Sequence, residues 1–374
     1  MPANRTDLII MGAGLTGLTL AYLLRDAGLC VTILEARDRV GGRIYTIRSE
    51  GEATREMGAT WLGKKHRNLV GLLEELGLGT FEQQLGRHAI YEPISTSPHQ
   101  LVSLPPNDAP SFRITGGSDR LIEALRQRIG GAKLRLNHTV TSIYRTPMGK
   151  FRVATEDDIF ESDLLVSTLP PRLFADKIGC EPALPKSLCK LMEQTHTWMG
   201  ESIKVSFTFA APFWRQAGLS GTMFSNVGPL TELYDHSDAN NHCFALKGFL
   251  NGAYYQLSRR ERCEMALQQL EKYYGGQVRN YLSYDEVVWR AEPHTFSPYT
   301  KHVLPHQNNG HADFREGLHE GRFFIAGSET AAEHPGYMDG AVQSAYFVAE
   351  QLSKLWIPSS AASITSFTSS PTLN

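Results

Sequence analysis

The apolar positions of the first forty residues change register twice. Residues 7–11 (Asp-Leu-Ile-Ile-Met) make a short apolar run, as expected of a parallel strand buried on both faces. Leu18, Leu20, Ala21, Leu23 and Leu24 then recur at helical spacing until Gly28 stops the helix. Residues 30–34 form a second apolar strand that ends on Glu35. Strand, helix, strand predicts a βαβ unit and a doubly wound α/β domain.

Further along, leucines and Val70 predict a helix over 67–76. Five prolines between Pro93 and Pro110 predict an irregular crossing between domains. Ser118 and Asp119 are suited to cap a helix carrying Leu121, Ile122, Leu125 and Ile129, closed by Gly130-Gly131. Strands are predicted over 133–136, 138–144, 151–155 and 164–168, and Pro170-Pro171 ends that run. Over 202–209 apolar and polar residues alternate, which predicts a half-buried strand with Ile203, Val205, Phe207 and Phe209 on one face. A helix over 258–273 opens with Ser258 and Glu261 spaced as a capping box. A strand over 322–326 and a helix over 339–356 close the pattern, and residues 358–374, rich in Ser, Thr and Ala, predict a disordered tail.

Length and composition narrow the classes. The 374 residues predict two domains, and 41% apolar with 20% charged residues is a globular balance. A net charge of −2 gives no electrostatic case for nucleic acid or an anionic membrane as a partner. Five scattered cysteines without a CxxC pair argue against a disulfide framework, and thirteen histidines show no metal-ligand spacing, so no metal site is expected. A polar start and the lack of 18 continuous apolar residues predict a soluble, cytoplasmic protein.

The chemistry begins at Gly12-Ala13-Gly14-Leu15-Thr16-Gly17, a GxGxxG run placed between strand and helix. Gly12 permits the tight turn, Gly14 lets backbone approach a pyrophosphate, and Gly17 lets helix and strand pack closely. The helix N-terminus offers free N–H groups to phosphate. Glu35, eighteen residues past Gly17, stands where a carboxylate accepts a ribose hydroxyl, which disfavours a 2′-phosphate. In the segment that follows, Ala36, Arg37, Gly42 and Arg43 predict a second loop against the pyrophosphate, with Arg43 neutralising it.

Glu35-Ala36-Arg37-Asp38-Arg39-Val40-Gly41-Gly42-Arg43 resembles the flavin-containing amine oxidase family, in its monoamine-oxidase-like branch. Gly58, Ala59, Thr60 and Trp61 resemble that family's second flavin-contacting loop, and Val140 falls where its members hold the adenine. Gly327-Ser328-Glu329 and Gly336-Tyr337-Met338-Asp339-Gly340-Ala341 resemble its C-terminal motif, whose helix points its N-terminus at the flavin. The resemblance implies FAD as cofactor. It also implies a Rossmann-like FAD-binding domain from residues 1–78, 114–195 and 291–357. An inserted α+β substrate domain on a mixed sheet would come from 79–113 and 196–290.

By pattern alone Lys204 reads as a solvated lysine. The resemblance implies instead the lysine that binds a water beside flavin N5. It likewise implies that Tyr299 and Tyr337 are the aromatic pair flanking an amine. Pro298 stands where animal monoamine oxidases have the cysteine that carries flavin, which implies non-covalent FAD. The stretch from Trp61 to Gly116 is shorter than the family's helical insertion, which leaves the pocket open or completed by a partner chain, as in a homo-oligomer. The expected activity is FAD-dependent removal of hydride from the carbon beside an amine nitrogen, giving imine and, with dioxygen as acceptor, hydrogen peroxide. A related desaturase, an amino-acid oxidase and a flavin-bound module with little turnover stand as alternatives.

Overall fold

Parallel strands come first in this chain because its apolar runs have no polar alternation to spend on a wet face. The computed structural model describes residues 4–355. Five strands, all parallel, lie in the order Lys133–Arg135, Val31–Leu34, Leu8–Met11, Leu164–Ser167, Phe323–Ile325. Leu8, Ile10, Ile33 and Val166 enter one core beneath the helices Leu15–Leu23, Arg67–Glu75, Asp119–Arg126 and Met338–Leu355. Their neighbours Ile9, Met11, Leu34 and Leu165 enter a second core, shared with the strands Val140–Arg145, Phe151–Thr155 and Ile159–Ser162. The sheet is thus covered on both sides, as a doubly wound fold requires.

A second, seven-stranded sheet runs in the order Ser283–Val288, Ile203–Phe209, Phe244–Leu250, Leu230–Asp235, Met223–Ser225, His88–Glu92, Gln100–Ser103. It is mixed, because Met223–Ser225 pairs parallel with His88–Glu92 while the other pairs are antiparallel. The helix Arg259–Tyr274 covers the face bearing Ile203, Val205, Phe207 and Phe209 through Ala266, Leu267 and Leu270. Its capping box forms as its sequence predicts, with Ser258 and Glu261 each bonding the other's backbone N–H.

Three local expectations are corrected. The proline-rich stretch contains the strand Gln100–Ser103, which pairs with His88–Glu92; its prolines flank the strand, and it lies at the sheet edge. Ser118 makes no side-chain cap; the Glu56 carboxylate instead accepts from its backbone N–H at 2.8 Å. Every residue of Ile203–Phe209 is buried, because residues 52–60 cover the polar face as the helix covers the apolar one. The tail over 358–374 and Trp356 lie outside the described residues. Among the described residues no helix is long and apolar enough to cross a membrane.

Candidate active site

The three chain segments that make the parallel sheet, and the polar face of the mixed sheet, meet around a cavity of about 1150 Å³. At one end two glycine loops lie side by side: Gly41 N–H donates to Ala13 C=O at 2.9 Å, and Gly14 bridges Gly41. Gly17 does not line the cavity but makes the turn possible, since a Cβ there would sit 2.0 Å from the Gly12 carbonyl oxygen. Ala13 serves by its backbone, donating to Glu35 Oε2 at 2.7 Å. Glu35 Oε1 accepts from Arg37 N–H at 3.0 Å, so one carboxylate, buried on the cavity wall, is fixed by two backbone donors.

Gly12, Gly14, Thr16, Ala36, Arg37, Gly42 and Arg43 line the same region. Arg37 is held by Thr295 Oγ1 at 2.7 Å and Glu292 at 3.2 Å. The Arg43 guanidinium is committed to Glu329 in a bidentate pair. Glu329 itself is fully buried behind the wall, where Arg43 holds its carboxyl below the usual range despite the opposing effect of burial. Arg43 lines the cavity while paired with this carboxylate. Val140 lines the cavity beside His138 and Thr141, while Gly327, Gly336, Met338 and Ala341 line it from the C-terminal segment. Gly58 packs so closely that a Cβ would meet Arg43 C=O at 2.2 Å. Gly58, Ala59, Thr60 and Trp61 complete the wall opposite the mixed sheet.

Lys204 is buried, not solvated; its Nζ donates to Gly58 C=O at 2.5 Å, and burial pushes its amine down to about 8. Tyr337 lines the cavity, but Tyr299 is not among the lining residues. The Tyr299 hydroxyl accepts from Thr197 N–H at 2.9 Å, and its ring stacks on His196. Trp198 lines the cavity with its ring centroid 6.0 Å from that of Tyr337, and it stacks on His306 at 3.7 Å. Nothing in the pattern around Trp198 marked it, since it lies in a turn between elements.

The mixed sheet adds residues that the sequence pattern did not single out. Glu232, Tyr234 and Phe249 line the cavity together with Trp61. Glu232 stands opposite Phe249, and Phe249 stands opposite Lys204, so the three share one face on adjacent strands. Tyr234 donates to Glu232 at 2.8 Å; its own phenol is pushed up by burial and by that carboxylate, so it remains a donor.

The glycine-lined cradle, its fixed ribose-side carboxylate and the two-walled cavity fit a bound flavin dinucleotide. The model for flavin containing amine oxidoreductases matches residues 15–100 and 98–353. The chain belongs to this family. As a flavin amine oxidoreductase it is an enzyme, it uses FAD, and its chemistry is oxidation of a C–N bond.

The chain is 25% identical to a probable flavin-containing monoamine oxidase A of Dictyostelium discoideum, over 92% of this chain and 97% of that one. It is 24% identical to amine oxidase [flavin-containing] B of Rattus norvegicus, over 94% and 86%. Among solved structures, a putrescine oxidase bound to putrescine superimposes with TM-score 0.81 at 24% identity, over 94% of this chain and 99% of that one. Cyclohexylamine oxidase from Brevibacterium oxydans superimposes with TM-score 0.82 at 20% identity, over 94% and 99%. The alignment with the Dictyostelium discoideum protein runs to 451 positions against a chain of 374, so this chain is the shorter partner. The two matched segments meet at 98–100, in the proline-rich stretch.

Proposed function

We propose that this enzyme oxidises a short aliphatic amine that carries a second cationic group, as a diamine does. The observation that carries this reading is Glu232, a carboxylate on the cavity wall two strands away from Lys204 on the same face. Neighbouring strands lie about 4.8 Å apart, so the two backbone positions are about 10 Å apart. One end of such a substrate meets the lysine and the aromatic wall of Trp198 and Tyr337. The other meets Glu232, oriented by Tyr234, among the ring faces of Trp61 and Phe249. The likeness to a structure bound to putrescine supports the same reading. An amino-acid substrate would bring a carboxylate to a wall that already has one, while Arg37 and Arg43 are paired with Glu292 and Glu329.

Bound between the glycine loops and the mixed-sheet face, FAD would supply two-electron oxidation of the amine's α-carbon, with dioxygen as the final acceptor and imine and hydrogen peroxide as products. The chain's own residues do the rest. Glu35 would hold the ribose and the glycine loops the pyrophosphate, while Val140 and its neighbours would hold the adenine. Trp198 and Tyr337 restrict the amine to poses that present its α-carbon. Lys204, its Nζ made a weaker base by burial, exchanges protons at the cavity at mildly alkaline pH. Residues 79–113 and 196–290 act as the substrate-presenting unit. Pro298 leaves no thiol for a flavin linkage at that position, so FAD is held without a covalent bond.

The test compares putrescine with n-butylamine in peroxide assays. Putrescine is expected to give the higher kcat/KM, by about tenfold or more, the worth of a desolvated charge pair. Glu232→Gln is expected to erase that preference and to leave n-butylamine turnover within about threefold. Equal kcat/KM for the two amines in the unmodified enzyme would overturn the reading.

A further inference from the structure

The strand Phe244–Leu250 brings a second lysine to the face that carries Lys204. Lys247 is fully buried and stands opposite Ser206, which makes it the diagonal neighbour of Lys204 across the strand pair. Diagonal neighbours lie about 7–8 Å apart. Both amines grip one short loop. Lys204 Nζ donates to Gly58 C=O, and Lys247 Nζ donates to Thr60 Oγ1 while lying 4.6 Å from the Trp61 ring centroid. Gly58, Thr60 and Trp61 are cavity wall, so the two lysines set that wall's position.

The charges around the pair do not balance if both lysines are protonated. Glu56 faces them from the strand Arg55–Glu56, with its oxygens accepting from Ser118 N–H and Thr46 Oγ1. Arg113, on the strand Ser111–Ile114, adds a further cation; its guanidinium donates to the carbonyls of His236 and Ser237. His236 is buried with neither ring nitrogen partnered, and burial with the nearby cations keeps it neutral. Asp235 is spent on Trp214, Arg215 and Ser237, and Asp119 pairs with Arg48. Glu56 is therefore the carboxylate that acts on both lysines and on Arg113; Asp235 and Asp238 add to it at Arg113 only, and Glu232, bonded by Tyr234, lies diagonal to Lys247 on the same face. Unpaired buried charge is costly, and two buried amines on neighbouring strands disfavour each other's protonation.

We infer that Lys247 is a positioning partner of Lys204: the two amines clamp the 58–61 loop together and carry one proton between them. The proton rests on Lys204, and Lys247 stands beside it as a neutral amine that still donates to Thr60. This rests on the reading of Lys204 as the proton-exchanging group of the cavity, but not on the identity of the amine substrate.

The test is side-chain ¹⁵N NMR of FAD-loaded, ¹⁵N-lysine-labelled enzyme without substrate, titrated with acid and base. Two lysines are expected to titrate in well-separated steps below the ordinary lysine range. Lys204→Met is expected to raise the Lys247 midpoint by about one pH unit or more, a tenfold change in proton affinity. Lys247→Arg, with its permanent charge, is expected to lower the Lys204 midpoint. If one variant does not fold, the other suffices. Amide exchange across 58–61 is expected to quicken about tenfold in Lys247→Met, the loss of a single buried hydrogen bond. Lysine midpoints that stay put in both variants, or two lysines titrating together near the ordinary value, overturn the inference. Neither result depends on which amine is oxidised, so failure here is separable from failure of the diamine reading.

Discussion

Arg43 and Glu329, 286 residues apart in the chain, close on each other through paired hydrogen bonds of 2.5 and 2.8 Å. Ser328 Oγ accepts a further bond from the same guanidinium at 2.9 Å. The pair rivets the second glycine loop to the segment that leads into the last helix, so both ends of the cofactor cradle move as one piece. Glu329→Gln leaves a guanidinium without its counter-charge. The expected loss is about 2 kcal/mol of stability, with Arg43 partly open to water and so below the fully buried case. Because the Glu329 carboxyl titrates below its ordinary value, its stabilisation is present above the unfolded-state midpoint and lost in acid. Melting curves of variant and parent should therefore converge as the pH falls.

Gly17 and Gly58 lie where the backbone of another segment leaves no room for a side chain. At Gly17 the obstacle is the Gly12 carbonyl, and at Gly58 it is the Arg43 carbonyl, neither of which moves like a side-chain tip. Gly17→Ala is expected to cost about 3 kcal/mol or more and to abolish retention of yellow flavin through gel filtration. An alanine variant that keeps its colour and melting temperature would contradict the packing described.

Lys204 lowers its own protein's stability, and the sign follows from its midpoint. Folded, the amine titrates at about 8; its ordinary value is 10.5. Between those values the unfolded chain binds more protons, so stability rises with pH across this window and the penalty is complete below it. Lys204→Met is thus expected to stabilise the flavin-free protein at neutral pH by about 1–3 kcal/mol and to lose that advantage near pH 10.5, read from urea denaturation at a series of pH values. The same variant should oxidise amines poorly, since the group that exchanges protons is gone.

Trp198 lines the cavity beside Tyr337, and Tyr299 does not. Tyr299→Phe removes an acceptor from Thr197 N–H and is expected to cost about 1 kcal/mol of stability while leaving kcat/KM within about threefold. Trp198→Ala opens the wall that restrains the amine, and kcat/KM should fall about tenfold or more. Steady-state peroxide assays of both variants decide the matter; a large loss in Tyr299→Phe alone would return the tyrosine to the cavity.

The chain's local order was enough to fix much of this molecule. Runs such as Leu8–Met11 and Leu164–Ser167 read as buried parallel strands because a sheet covered on both faces needs apolar residues at every position. The glycines of the first loop and Glu35 were legible for a related reason: close backbone approach and ribose recognition constrain residue type at fixed spacing, whereas the Gly58 loop was legible only through resemblance to the family. Gln100–Ser103 escaped notice because its prolines marked breaks, while strand pairing at a sheet edge tolerates prolines that flank it. Lys247 left a trace, one lysine within the apolar run Phe244–Leu250, but its partner Lys204 lies on another strand. The sequence by itself determined the parallel sheet, the cofactor cradle and the chemistry they serve. Tertiary structure alone decided which polar side chains share a site: the charge pairing of Arg43, the position of Tyr299 off the cavity wall, and the placement of Glu232 two strands from Lys204 on one face. Backbone propensity and spacing act over a few residues, whereas electrostatic pairing and cavity walls are set by strands that meet only after the sheets have assembled.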